Sequence, residues 1–290
     1  MGRSYSVGLL SSQWSPVMDT ACEAWCGEEL EVAKKSLTYA LNPDDFFSLI
    51  PRMLVKEGDK VSKGQPIFYD KNDETIKIVS PVSGIVQKIE RGAKRVITEI
   101  VIEADQKDDY LDHGVASIVS MDENEIKNHL LATGCWPFII QRPYDVIANP
   151  ENTPKGIFVS AYASAPLAAD YDFVLTGKKA ELQAAVSALS KLTTGNVNIS
   201  VSKESHSPFT NLEDVVTHKV SGPHPSGNVG TLINKIDPIN KGEVVWTVTP
   251  QDLVIIGELL LTGKFNAERI VALAGSRIKE RRYLVTKIGS

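Results

Sequence analysis

A chain of 290 residues has room for two domains, and its 42% hydrophobic and 23% charged residues are the proportions of a globular protein. The formal net charge of −5 leaves no basic footprint for nucleic acid. No stretch approaches the roughly 18 apolar residues that cross a bilayer. The longest run, Leu253 to Leu261, is interrupted by Glu258, so a membrane contact would have to go through a partner. Cys22, Cys26 and Cys135 are odd in number and sparse. They predict no disulfide framework and a reducing compartment. The N-terminus carries only Arg3 as a basic residue, and its apolar run is broken by Ser and Gln, which predicts no secretory signal.

In chain order, Glu28 to Lys35 reads as a short helix. Cys22 and Cys26, four apart, would share a helix face. No histidine precedes His113, so two ordinary thiols are expected there rather than a metal site of about four ligands. Leu41-Asn42-Pro43-Asp44-Asp45 has turn chemistry, and Ile50-Pro51 leads into an extended region.

The region from Leu54 to Glu103 reads as two matched β arms joined by a hairpin. Glu57-Gly58-Asp59-Lys60-Val61 and Lys63-Gly64-Gln65-Pro66 stand in the first arm. Ser80-Pro81-Val82-Ser83-Gly84-Ile85-Val86 and Arg91-Gly92-Ala93-Lys94 stand in the second. Apolar and polar residues alternate between the glycine turns, which gives one inward and one outward face. Positive φ is expected at Gly58, Gly64, Gly84 and Gly92. These paired elements resemble the flattened β barrel of biotinyl and lipoyl carrier domains. In those carriers a lysine at the hairpin tip receives the cofactor. Here the tip reads Tyr69-Asp70-Lys71-Asn72-Asp73-Glu74. Asn72 stands where the lipoyl pattern has Ala, and the hairpin is expected to be longer and more acidic. A solvated Lys71 is weighed against a modified one.

Asp105 to Gly114 is acidic and reads as a linker. Beyond it the pattern changes to alternating strand and helix. Asp122 is the expected cap of a helix over Glu123 to Thr133, with Gly134 as its stop. Gly156 to Ala161 reads as a buried strand. Ala180 to Leu192 reads as a helix with Leu182, Val186 and Leu189 on one stripe, and Val197 to Val201 as the next strand. Glu243 to Val248 is a further strand. Gln251 to Leu261 is a helix that starts at Thr249-Pro250, and Ile270 to Gly275 is a last buried strand. The expected fold class is mixed α/β: a small barrel followed by a Rossmann-like layer with a largely parallel sheet.

Chemistry is sparse in this second half. Ser221-Gly222-Pro223-His224-Pro225-Ser226-Gly227-Asn228-Val229-Gly230 has the glycine spacing of a P-loop, but Asn228 stands where its lysine would be. Pro223 and Pro225 remove two N–H donors from any anion cradle. The loop is weighed as a rigid turn against a ligand or partner contact through Gly222, His224, Ser226, Gly227 and Gly230. No G-x-G-x-x-G follows a strand and no G-x-S-x-G occurs. His113, His129, His206, His218 and His224 form no H-E-x-x-H pair. The run Trp136-Pro137-Phe138-Ile139-Ile140 reads as core, with an apolar ligand patch at Trp136 and Phe138 as the alternative.

Taken together, SLTYALNPDDF, GCWPFIIQRP, GIFVSAYASAPLAAD, SGPHPSGNVGTLI and RIVALAGSRIKERRYLVTKIG resemble the A-type subunits of the bacterial sodium-translocating NADH:quinone reductases. The likeness runs from near Ser36 almost to Ser290. It implies a cargo-free barrel at 36–105, a linker at 106–116 and a Rossmann-like domain at 117–290, with 1–35 unmatched. The layer would resemble the NADH-oxidising flavin subunit of complex I. Ala132-Thr133-Gly134-Cys135-Trp136-Pro137 has a single glycine where flavin-binding relatives are glycine-rich. The resemblance therefore implies no cofactor on this chain; NADH, flavins, iron–sulfur and quinone would be handled in or with other subunits. It implies a peripheral scaffold on the cytoplasmic face of the inner membrane, with the B-type subunit of the same complex as partner, quinone as a further contact, and no membrane span of its own. Family members continue into a further β-rich domain and helices. The rival readings are a carrier modified at Lys71 and a free-standing nucleotide-binding enzyme.

Overall fold

The structure, a computed structural model, describes residues 29–105, 107–205 and 208–290, together with the backbone of residues 4–6. Cys22, Cys26 and His206 lie outside the described residues. The strands in chain order are β1 (Ser4–Ser6), β2 (Leu30–Val32), β3 (Thr38–Leu41), β4 (Pro51–Met53), β5 (Lys60–Val61), β6 (Pro66–Asp70), β7 (Asp73–Val79), β8 (Gly84–Arg91) and β9 (Ile97–Ala104). Helix α1 (Glu123–Ala132) follows, then β10 (Ile140–Arg142), β11 (Val146–Ile147) and β12 (Ile157–Ser160). Next come α2 (Tyr171–Val174), α3 (Lys179–Ser190), β13 (Val197–Ser202), β14 (Val215–Ser221), α4 (Val229–Ile236) and β15 (Val245–Thr247). The chain ends with α5 (Pro250–Thr262), β16 (Glu268–Leu273) and β17 (Arg282–Lys287).

The first half curls into two facing sheets, β3-β9-β8-β5 and β4-β6-β7. Their inward positions, among them Ile67, Phe68, Val86, Ile100 and Ile102, close one apolar core. That is the outcome of a period-two pattern when two sheets share a face. Gly58 and Gly64 take positive φ as expected, but Gly84 and Gly92 do not. Gly84 is required for a different reason. A Cβ there would stand 2.0 Å from the Glu103 carbonyl oxygen on the neighbouring strand. At the other corner, Lys94 and Arg95 carry the positive φ. The β6–β7 hairpin is not long: Lys71 and Asn72 alone bridge Asp70 to its partner Asp73. Lys71 is exposed, and its backbone N–H donates to the Ile50 carbonyl at 2.8 Å.

The second half is a seven-stranded sheet in the order β1-β14-β13-β12-β15-β10-β11. Strands β1, β14, β13, β12 and β15 are parallel, while β10 and β11 continue antiparallel. One face, with Ile157, Val159, Val197, Ile199 and Val201, packs on α3 and α5 in the main core. On the other face, Phe158 and Val245 meet Ile233 of α4. The helix starts follow local chemistry. Asp122 and Glu125 form a reciprocal capping box on α1, and Thr249-Pro250 opens α5 as cap and first helical residue. Gly134 follows the last turn of α1 with φ of 73°.

Two further sequence expectations are corrected. Residues 30–32 are a strand rather than part of a helix: Leu30 and Val32 flank Glu31 at strand periodicity, and β2 pairs parallel with β17. The strand at Glu268–Leu273 is not a buried member of the parallel layer. It pairs antiparallel with β17 in a separate sheet, β16-β17-β2, with Val271 45% exposed. The segment from Asp105 to Gly114, read as a linker, is held by contacts on both sides. Tyr110 bridges Lys63 of the barrel region, and the His113 N–H donates to the Gly263 carbonyl after α5.

Candidate functional site

In the parallel sheet the chain steps outward from β12 to β13 to β14, then returns through α4 to β15 on the other side of β12. Connections diverge between β12 and β15, and such a switch point leaves a crevice beyond the carboxyl ends of the strands. A cleft of about 600 Å³ stands there. Ser160 at the end of β12 and Tyr162–Ala165 after it form one wall. Thr247–Pro250 at the end of β15 form another, Gly227–Gly230 run into α4, and Arg142 closes the edge from β10.

Most polar groups around the loop into α4 are engaged with each other. Ser160 Oγ donates to the Gly227 carbonyl at 2.6 Å, and Tyr162 Oη donates to the Gly222 carbonyl at 2.7 Å. The N–H groups of Ser226, Gly227 and Asn228 donate to the Pro223 carbonyl, Ser164 Oγ and the Pro225 carbonyl. Pro223 and Pro225 have no N–H. The loop therefore offers no row of free amides to a pyrophosphate. A Cβ on Gly227 would lie 2.1 Å from the Tyr162 carbonyl oxygen, so that glycine is set by backbone contact.

The start of α4 is different. Asn228 is extended and its side chain makes no cap hydrogen bond. The first intrahelical bond is donated by Leu232, to Asn228. The amides of Val229, Gly230 and Thr231 have no acceptor among the described residues. In the same cleft, Arg142 pairs with the exposed Asp145 at 3.2 Å, and its buried Nε has no hydrogen-bond partner. Burial, and then the Asp252 carboxylate, pushes the Tyr171 phenol above its ordinary value. The same lining carries an acceptor, the exposed Asp145 carboxylate, so donors and acceptors are mixed in the cleft. The start of α5 is closed by contrast: Thr249 Oγ1 accepts from the Asp252 N–H, and Asp252 is paired with Arg269.

Of the five loop residues singled out in the sequence, Gly227 and Gly230 line the cleft. Gly222 and Ser226 stand behind it, joined by a 2.8 Å bond from Ser226 Oγ to the Gly222 carbonyl. His224 is exposed, with Nδ1 3.4 Å from Ser164 Oγ. Trp136 is fully enclosed, donates from Nε1 to the Ala148 carbonyl at 2.7 Å and packs edge-on against Trp246. Phe138 is half-buried and stacked on Phe265. These two rings form no surface patch. Sequence reasoning passed over Arg142, Ser164 and Tyr171. The usable signal was the run of small residues, Ala163-Ser164-Ala165, directly after a buried strand. Among the described residues no group of three or more His, Cys, Asp or Glu could hold a metal, and no helix is long and apolar enough to cross a membrane.

Comparison with known proteins places this geometry. The family described as the NqrA second alpha/beta domain matches residues 121–265, and the NqrA N-terminal barrel-sandwich hybrid domain matches residues 18–105. The chain belongs to the NqrA family. Similar curated proteins include the A-type subunit of the Na(+)-translocating NADH-quinone reductase of a Marinomonas species, 35% identical over 90% of this chain and 58% of that protein. The same-named protein of Neisseria meningitidis is 34% identical over 87% of this chain and 57% of its own length. That of Pseudomonas aeruginosa is 32% identical over 91% and 59%. The chain thus spans a little under three-fifths of the relatives it matches, and the family match takes in both the barrel region and the layer that carries the cleft.

Proposed function

We propose that this chain serves as a peripheral subunit of a sodium-translocating NADH:quinone reductase, the complex after which its relatives are named. The observation that carries this reading is identity of about one third across nine-tenths of the chain to proteins named as the A-type component of that enzyme. In this role it is a docking body rather than a redox centre. Its barrel, residues 36–105, is a carrier-type β unit without cargo. The segment 106–116 joins it to a layer, 117–290, of the kind found in the flavin subunit of complex I. The partner is the B-type subunit of the complex, with the quinone region nearby, on the cytoplasmic face of the membrane. The loop at Gly227 and Gly230 is the part of the site expected to meet a ligand or partner. The engaged amides between Gly222 and Asn228 support a layer that does not grip a dinucleotide.

The test is assembly. A tagged copy expressed with the remaining subunits is expected to copurify with the B-type subunit from detergent-solubilised membranes. Absence of that association, both for this chain and for a chimera carrying the C-terminal region of a relative, refutes the role.

One observation favours a second reading. Lys71 stands exposed on a two-residue hairpin tip, the geometry a modifying enzyme needs. Intact mass of the chain from a host competent in biotin and lipoate attachment separates the two. An unmodified mass fits the docking role, and an adduct lost in Lys71→Arg establishes a carrier.

A further inference from the structure

A serine and an imidazole meet at the edge of the switch-point cleft. Ser164 stands in the turn just after β12, at the carboxyl end of the parallel sheet, and lines the cleft. Its Oγ accepts the Gly227 N–H at 2.8 Å and lies 3.4 Å from Nδ1 of His224. A hydroxyl has one proton and two lone pairs. The Gly227 amide fills one lone pair, and among the described residues the proton has no acceptor but Nδ1. Ser164 is therefore the donor, and His224 accepts in the tautomer protonated at Nε2. The second lone pair of Oγ is left over. That is the arrangement of a nucleophile and its base, with a contact at the long end of the range, as such contacts are before a substrate tightens them.

The surroundings hold the pair. Gly227 is fixed by its close approach to the Tyr162 carbonyl and by the Ser160 bond to its own carbonyl. Pro223 and Pro225 stiffen the backbone on both sides of His224. His224 is exposed, so a proton that it takes can pass to solvent. The charged side chains of the lining, Arg142 and Asp145, pair with each other at 3.2 Å, and the remaining lining residues are neutral. The cleft thus suits an uncharged group, and its volume of about 600 Å³ leaves room for one against Ile140, Val248 and Pro250.

We propose that Ser164 is a nucleophile, with His224 as its base, that takes the acyl group of an uncharged activated ester. Oγ bonds to the carbonyl carbon as its proton passes to His224 Nδ1. The bond from that carbon to the leaving oxygen breaks, and the leaving group carries the proton away. Water then attacks the acyl-serine, with His224 again taking the proton, and releases the free acid. This activity goes beyond the docking role and does not depend on assembly, so its failure and failure of the subunit role are separate results.

The experiment treats the full chain with 4-nitrophenyl acetate, reading nitrophenolate release by absorbance and the acetylated residue by peptide mass. Acetylation is expected at Ser164. His224→Gln changes an exposed side chain, so the fold is kept, and it should slow that acetylation about a hundredfold. Ser164→Ala should carry no acetyl group on the same peptide and lose the accompanying release. The chain unfolded in urea should lose the preference for Ser164 over other serines. No acetyl group on Ser164 overturns the proposal. An unchanged rate in His224→Gln, or the same preference for Ser164 in urea, overturns it as well.

Discussion

Gly257 lies in the middle of α5, where a glycine costs about 1 kcal/mol relative to alanine. An exposed Gly→Ala change in a helix would therefore stabilise. Here the helix is pressed against α3. A Cβ on Gly257 would sit 1.8 Å from the Glu181 carbonyl oxygen, 2.5 Å from its carbon and 2.8 Å from its Cα. All three atoms are backbone, so no side chain can swing away, and the two helices must part by about 1.5 Å to reach ordinary contact in a close-packed interior. Overpacking of this kind costs about 1–3 kcal/mol, and rigid backbone on both sides places it at the upper end. Subtracting the gain in propensity leaves a net loss of about 2 kcal/mol for Gly257→Ala.

For a chain of this size that is a fall in Tm of about 3 °C, read by near-ultraviolet circular dichroism on heating. Gly230→Ala is the control. Nothing lies within 4 Å of a Cβ there, so propensity alone acts and stability is unchanged or slightly raised. If Gly257→Ala matches or exceeds the parent in Tm, the close approach of α3 and α5 is wrong. The position of the Thr249-Pro250 edge of the cleft, which α5 carries, would then be wrong with it.

Burial holds the His113, His129 and His218 imidazoles below their usual pKa, with the charge of His113 also opposing that of His129. The unfolded chain then binds more protons than the folded one in the window just below pH 6.5. Stability is expected to be full above that pH and to fall through the window, a loss read by urea unfolding at pH 7.5 and 5.5 and reduced in His113→Gln; a flat profile refutes it. Cys135 is fully buried and its thiol is pushed up to about 12, so in a Cys22→Ser, Cys26→Ser background it should resist iodoacetamide until the protein unfolds. Rapid native alkylation at pH 7.5 contradicts that. Asp122→Ala breaks the reciprocal cap of α1 and should cost about 1 kcal/mol in urea unfolding; an unchanged midpoint refutes the cap. Lys191 Nζ donates to the Ile118, Val119 and Met121 carbonyls, and Lys191→Met should cost about 1.5–3 kcal/mol; a loss under about 0.5 kcal/mol refutes the clamp.

What was legible in the sequence follows from which contacts are local. Capping at Asp122 and Thr249, the stripe of Leu182, Val186 and Leu189, and the alternation in the barrel are all decided within a few residues. They came out as expected. Pairing between distant segments was not legible. Leu30–Val32 is extended because Arg282–Lys287 offers it a strand edge. Gly84 and Gly257 look like ordinary turn and helix glycines until Glu103 and Glu181 are brought against them. The site divides in the same way. The sequence showed that the loop from Gly222 to Gly230 lacks a lysine and carries two prolines. It could not show that Arg142, almost ninety positions earlier, lines the same cleft as the helix that this loop begins, because the sheet order brings β10 there.

That sheet order also explains why the barrel region and the cleft belong to one working unit. Helix α5 begins at Thr249-Pro250 on the cleft wall and ends at Gly263, whose carbonyl accepts from the His113 N–H. The His113 ring lies 3.3 Å from the Gly64 carbonyl of the barrel region. A second contact runs beside it. Gly134 after α1 would place a Cβ 2.3 Å from Val79 of β7, and both Ile76 and Val79 belong to the main core rather than to the barrel's own. A helix is stiff along its length, and the core around it is close-packed. A partner that displaced the barrel region would therefore have to move α5 or break two buried contacts, and moving α5 shifts one wall of the cleft. The barrel region and the cleft wall are on this geometry mechanically linked, and Gly257→Ala, which loosens α5 without touching either surface, is the perturbation that should disturb both.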